Sequence, residues 1–208
     1  MTDLRQSDVR FALLHVPASA RRAITALWTL DATLGTIVAS TTQPLVGQLR
    51  LTWWHEALSG LGKSTVRGEP VLEALANDVI ATGRVDAAAL ALLIEGWEAL
   101  LEPMPLDHVS LETYADGRAA MFDLSAAILG VPSDRPSARG WALTDFALRC
   151  SNDVTAGRAW DLAASALADA TISTLPRSLR SLARLAEVDC ARRARAERSL
   201  WRRLRSLR

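Results

Sequence analysis

The stretch QPLVGQLRLTWWHEAL, from Gln43 to Leu58, decides how the chain folds. Pro44 stands where the first turn of a helix accepts a proline, and nothing between it and Leu58 breaks a helix. Val46, Leu49, Trp53 and Ala57 share one face, while Leu51, Trp54 and Leu58 share the next. Apolar side chains therefore cover most of the circumference, a pattern that predicts an interior helix with Trp53 and Trp54 in the core. Arg50 is embedded one turn before the tryptophan pair, where a guanidinium is expected to stack on an indole or reach a buried acid.

Outward from this helix the composition is uniform. Half of the 208 residues are hydrophobic, and no low-complexity linker divides them, which predicts one domain over 1–208 with a sizeable core. Alanine, leucine and arginine dominate and β-branched runs are scarce, so the fold class expected is all-α. Residues 1–10 are polar and charged, and no apolar run approaches the ~18 residues of a membrane span. The location expected is cytoplasmic, or peripheral to the inner membrane. Cys150 and Cys190 lack metal-ligand or redox spacing and read as reduced thiols.

Prolines, glycines and capping residues divide the chain into helices. Asp8 to Val16 forms a first helix, Ser19 caps a second reaching Ser40, and Pro44 opens the tryptophan helix. Pro70 opens another to Gly83, Asp86 caps one to Leu101, and Ser110 starts one to Gly130. Ala138 to Trp160 reads as a single helix, a weaker Ala-rich segment follows, and Pro176 opens an arginine-rich one.

In the second helix Ile24, Trp28, Asp31, Gly35 and Val38 form one stripe and Leu27, Leu30, Leu34 and Ile37 the adjacent one. Asp31 thus points inward. A buried carboxylate requires a partner, and Arg50 or Arg118 can supply it.

The pieces FALLHVP, RRAITALW, QPLVGQLRL and TWWHEAL, between Phe11 and Leu58, resemble the start of the squalene/phytoene synthase superfamily. Glu69-Pro70 with VLEAL, then LLIEGWEAL, LETYADGRAA with Tyr114 and Arg118, and Gly157-Arg158 follow in the family's order. The resemblance implies an isoprenoid-synthase (terpenoid synthase) type helical bundle, shortened at the C-terminus. Its nearest likeness is the non-catalytic branch that includes the mitochondrial complex I assembly factor. Catalytic members couple two prenyl diphosphates head to head and need two aspartate-rich helical motifs, because carboxylates one turn apart hold the Mg²⁺ that neutralises the departing diphosphate. In the register of the resemblance the first pair falls at Gly35 and Ala39, and the second at Cys150 and Val154. None of the four is acidic. Asp153 is a single candidate survivor of the second motif, and Asp31 and Asp153 are the candidate catalytic residues.

Other acids offer little. Glu69/Glu73, Glu98/Glu102 and Glu112/Asp116 have the i,i+4 spacing, but Glu95, Glu98 and Glu102 form a solvated stripe and Glu112 and Asp116 suit a helix start. His15, His55 and His108 share no ligand spacing, and there is no phosphate-binding glycine loop or nucleophile elbow.

Charge is unevenly placed. Arg177 to Arg208 carries eleven arginines against Glu187, Asp189 and Glu197, whereas the remainder is acidic, which leaves a net charge of +1. Arg192, Arg193, Arg195, Arg198, Arg202, Arg203 and Arg205, with Trp201 at an apolar edge, form a basic amphipathic segment suited to an anionic membrane surface or an acidic protein partner. Nucleic acid is not expected, because the rest of the surface is acidic and no DNA-reading motif is present.

The sequence therefore predicts an isoprenoid-synthase-type bundle without its reaction chemistry: a non-catalytic binding or assembly protein, with no cofactor and an apolar cavity able to take an isoprenoid-like ligand. Trp28, Arg50, Trp53, Trp54, Tyr114 and Arg118 are expected to line or brace that cavity. The competing expectation is an active prenyl transferase of isoprenoid biosynthesis, with Mg²⁺ held by unorthodox ligands.

Overall fold

A computed structural model describes residues 4–63 and 68–205, with side chains over 8–63 and 68–193. Its helices are α1 (Leu4–Leu13), α2 (Arg21–Ser40), α3 (Pro44–Ser59), α4 (Pro70–Ala74), α5 (Ala87–Ala91), α6 (Leu93–Glu98), α7 (His108–Leu129), α8 (Arg135–Arg149), α9 (Asp153–Ala168) and α10 (Arg177–Arg205). Among the described residues there is no strand. The all-α expectation holds.

The helix boundaries follow local chemistry. Asp86 accepts from the Ala89 N–H at 2.7 Å, and Asp107 caps α7 by accepting from Ser110 N–H at 2.8 Å. That bond, first of all, holds the Asp107 carboxyl below its ordinary value. Ser19, expected to cap α2, does not: Ala20 occupies the capping position without a side-chain bond. The single helix expected from Ala138 to Trp160 is two. Cys150 turns to extended backbone, and the Asn152 side chain caps α9 by accepting from Thr155 N–H at 3.0 Å, which starts a new helix.

α7 is the axis of the bundle, packed against α2, α6 and α8. Around it α2 buries Ile24, Leu27, Trp28, Leu30, Asp31, Leu34 and Ile37. By length and composition α2 could cross a membrane, against the sequence expectation, and half of that stretch is buried inside the bundle.

The tryptophan helix α3 departs from expectation. Gly47, Leu51, Trp54 and Leu58 form its buried stripe, whereas Leu45, Val46, Leu49 and Trp53 are exposed. It is a surface helix with a second, unpartnered apolar face. Apolar coverage around a helix shows what could be buried, and the neighbours of α3, namely α2, α5 and α6, leave its other side open. Trp53 meets Trp54 edge-on at 5.4 Å, so the pair straddles the surface.

α6 and α7 cross backbone to backbone. A Cβ on Gly117 would lie 2.5 Å from the Gly96 Cα, and one on Gly96 would lie 2.9 Å from the Gly117 Cα. Gly117→Ala should therefore push the helices apart and destabilise by roughly 1–3 kcal/mol, read as a lower urea midpoint. Gly157, inside α9 with open space around its would-be Cβ, should respond oppositely, with Gly157→Ala stabilising by about 0.4–1 kcal/mol.

Candidate functional site

Asp31 on α2, Arg118 on α7 and Asp145 on α8 meet in the core, each 5% exposed or less. Arg118 Nε donates to Asp31 Oδ1 at 3.1 Å and Nη2 to Asp31 Oδ2 at 2.9 Å, a two-pronged pairing that fixes the guanidinium plane. Its Nη1 donates to Asp145 Oδ2 and, at 2.8 Å, to the Tyr114 hydroxyl oxygen one turn away. Arg149, one turn beyond Asp145, donates to Asp145 Oδ1 at 2.9 Å from the bundle rim. Two carboxylates are thus matched by two guanidiniums, which satisfies the requirement that buried charge be balanced and hydrogen-bonded.

Aromatic rings enclose this centre. The Arg118 guanidinium carbon lies 4.4 Å from the Trp141 ring centroid and 5.0 Å from that of Trp97. Trp28 packs edge-on against Trp141 at 5.2 Å and donates its indole N–H to Ser125 Oγ at 3.2 Å, while Phe122 stacks on the other side of Trp141. The apolar cavity expected between α2 and α8 is therefore filled by side chains. The void beside it, bounded by Ile24, Trp28, Ser125 and Leu179, measures about 10 Å³, at the threshold for one water.

Burial would by itself lower the Arg118 pKa, but Asp31, Tyr114 and Asp145 together hold it well above its ordinary value. Arg118 is a permanent cation. Burial raises the Tyr114 hydroxyl far above its ordinary value of 10.0. A raised folded-state value means that the unfolded chain loses this proton first as pH climbs, so the associated stability is complete below pH 10 and declines above it.

The sequence-derived candidates separate cleanly. Asp31, Trp28, Tyr114 and Arg118 come together, and of the two guanidiniums considered for Asp31 it is Arg118 that binds it. Arg50 is exposed on α3, with a weak bond to Ser40 Oγ at 3.5 Å, and Trp53 is half-exposed, so neither braces a cavity. Trp54 is buried. Asp153 is exposed at the first position of α9, with Val154 beside it, because the helix break at Cys150 turns this segment out of the core. Glu112 and Asp116, read as plain surface, are clamped by Arg139 across the α7–α8 contact, and Arg135 bridges Asp116 and Asp123. Glu95, Glu98 and Glu102 are exposed. Arg192 and Arg193 are exposed on α10, and the side chains of Arg195, Arg198, Trp201, Arg202, Arg203 and Arg205 lie outside the described residues.

Sequence reading missed Asp145, Trp97 and Arg149. The signal for Asp145 was present: a lone acid inside the apolar run ALTDFAL, the same signature that marks Asp31 in ALWTLDATL.

An all-α bundle is the fold class of the isoprenoid-synthase type. A family model described as squalene/phytoene synthase matches residues 4–160, and the chain belongs to that family. No curated protein and no solved structure matches it.

Magnesium, which that family's chemistry implies, does not fit the residues present. A Cβ at Gly35 would stand 2.9 Å from the Trp97 ring, so the ring takes the space an aspartate there would need. Ala39 offers no oxygen, and Asp31 and Asp145 already bind one shared guanidinium, whose charge opposes entry of a second cation.

Two measurements follow. Arg118→Met strands the Asp31 carboxylate in the core, while Asp145 keeps Arg149, and should cost roughly 3–5 kcal/mol by urea unfolding. Between pH 10 and 11.5 the stability of the unaltered chain should fall by up to about 1.4 kcal/mol per pH unit from Tyr114, and Tyr114→Phe should flatten that slope whatever its effect at neutral pH.

Proposed function

We propose that this chain is a non-catalytic member of the squalene/phytoene synthase family, a binding or assembly protein built on the synthase bundle. The observation that carries this reading is Arg118, buried between Asp31 and Asp145. In the family's chemistry facing acids exist to hold divalent cations against a diphosphate. Here the four positions in that register are not acidic, and the acids that do face one another, Asp31 and Asp145, are neutralised by an immobile side-chain cation, with Trp97 against Gly35 and Trp141 over the guanidinium. An isoprenoid chain would have to displace these rings to enter.

The finer role we attach is assembly of a respiratory complex at the inner face of a membrane. It rests on the likeness of the Gln43–Leu58 run to the non-catalytic branch, and on surfaces suited to partners: the exposed apolar face of α3 and the basic α10. A scaffold of this kind needs a rigid core and adhesive outer faces, not an open pocket.

The experiment is turnover by pure protein of farnesyl or geranylgeranyl diphosphate with magnesium, followed as pyrophosphate release. Release at the no-protein background is expected. Release that scales with protein and disappears in Asp31→Asn or Asp145→Asn would overturn the reading in favour of an active prenyl transferase.

A further inference from the structure

One end of the bundle gathers aliphatic side chains from separate elements. Leu45 and Leu49 on α3, Met104 in the α6–α7 connection, Val109 at the start of α7, Leu148 near the end of α8 and Val154 at the start of α9 are between 47% and 69% exposed. Packing brings these segments to one place. The Thr155 hydroxyl accepts from Leu106 N–H at 3.0 Å and lies 3.6 Å from the Met104 sulfur, which ties the connection to α9. Leu101 packs on Gly47, so close that a Cβ there would be 2.8 Å from its Cδ2, which ties α3 to the same corner.

α10 arrives at this end from the opposite one. Its first turns, at Ser178, Leu179 and Leu182, share a void with Ser125 and Leu129 near the end of α7, and Cys190 lies 3.4 Å from Thr144 of α8. The two helices therefore run in the same direction. α8 stops at Arg149, whereas α10 continues to Arg205, so its last turns pass the end of α8 by on the order of 15 Å at 1.5 Å per residue. From Arg192 to Arg205 that continuation carries seven arginines against one acid, Glu197.

We propose that this end of the bundle docks on an anionic lipid bilayer, its aliphatic side chains entering the headgroup layer while the arginines of α10 engage lipid phosphates. The proposal deepens the membrane-surface part of the function above by naming the face that docks and the aliphatic side chains that enter, and its test does not depend on turnover. Two features favour a bilayer over an acidic protein. The aliphatic side chains come from the ends of several helices and a connection, as a flat surface requires, and not from one groove a partner helix would fill. The excess positive charge is concentrated on a helix that overhangs that same end.

Co-sedimentation of the full chain with vesicles of phosphatidylcholine alone, or with one quarter phosphatidylglycerol, tests it. Binding to the anionic vesicles should be more than tenfold tighter than to the neutral ones. Arg202→Glu with Arg203→Glu should weaken it at least about tenfold, since each arginine near an anionic surface contributes about fivefold. Leu148→Asp with Val154→Asp should also weaken it at least about tenfold, whereas Leu14→Asp, exposed beyond α1 near the start of α10, should not. Far-UV circular dichroism verifies folding, and Leu49→Asp serves if the paired variant unfolds. No sedimentation with anionic vesicles, equal binding to neutral ones, or unaltered binding by the aliphatic variants would overturn the proposal, the first outcome leaving the face to a protein partner.

Discussion

The Arg118 guanidinium, held on one side by both oxygens of Asp31 and on the other by Asp145, is the interaction on which the structure turns. It joins α2, α7 and α8 at one point, and each helix has contributed a charge that could not be buried alone. Trp97 and Trp141 enclose the cation, Trp28 braces Trp141, and Ser125 orients Trp28, so the aromatic packing of the core is arranged around an ion pair. Apolar side chains of equal volume often stabilise a core as well as such a centre does. Its contribution is specificity: sliding α2 or α8 by one turn would strand a charge in a medium that cannot solvate it.

That arrangement gives a bundle of the synthase family an ion-paired interior enclosed by rings. A diphosphate site must stay open to water and metal, and its carboxylates repel one another until cations arrive. Here the repulsion is resolved internally by Arg118 and Arg149, and the space is occupied by indoles. Gly35 permits this exchange, because any side chain there would collide with Trp97. The outer faces carry an apolar strip on α3 and a helix that extends past the end of α8.

Much of the fold was legible in the sequence because it is written in local terms. Prolines opened α3, α4 and α10 where expected, Asp86 capped its helix, and the stripe of α2 was readable from spacing alone. The errors have physical causes. Spacing shows which residues share a face but not whether a neighbour covers it, which is why α3 read as interior while Leu49 and Trp53 are exposed. Asn152 caps a new helix inside an apparently continuous helical run, and Asp145, four residues before Arg149, is a core acid outside the register in which Cys150 and Val154 take the second pair of positions. Asp31 could be read as needing a partner. Which arginine it takes, and that a second acid shares it, depends on three helices separated by many residues, information that no single window contains.

With Arg118 between them, Asp31 and Asp145 should have no vacancy for metal and diphosphate. Thermodynamic linkage tests it without any turnover, since a ligand bound to the folded chain alone must raise its unfolding free energy. The urea midpoint should be measured with and without millimolar magnesium together with a non-hydrolysable farnesyl thiodiphosphate. An unchanged midpoint is expected. A midpoint raised by the pair of ligands, and lowered back to the ligand-free value in Asp31→Asn, would contradict it.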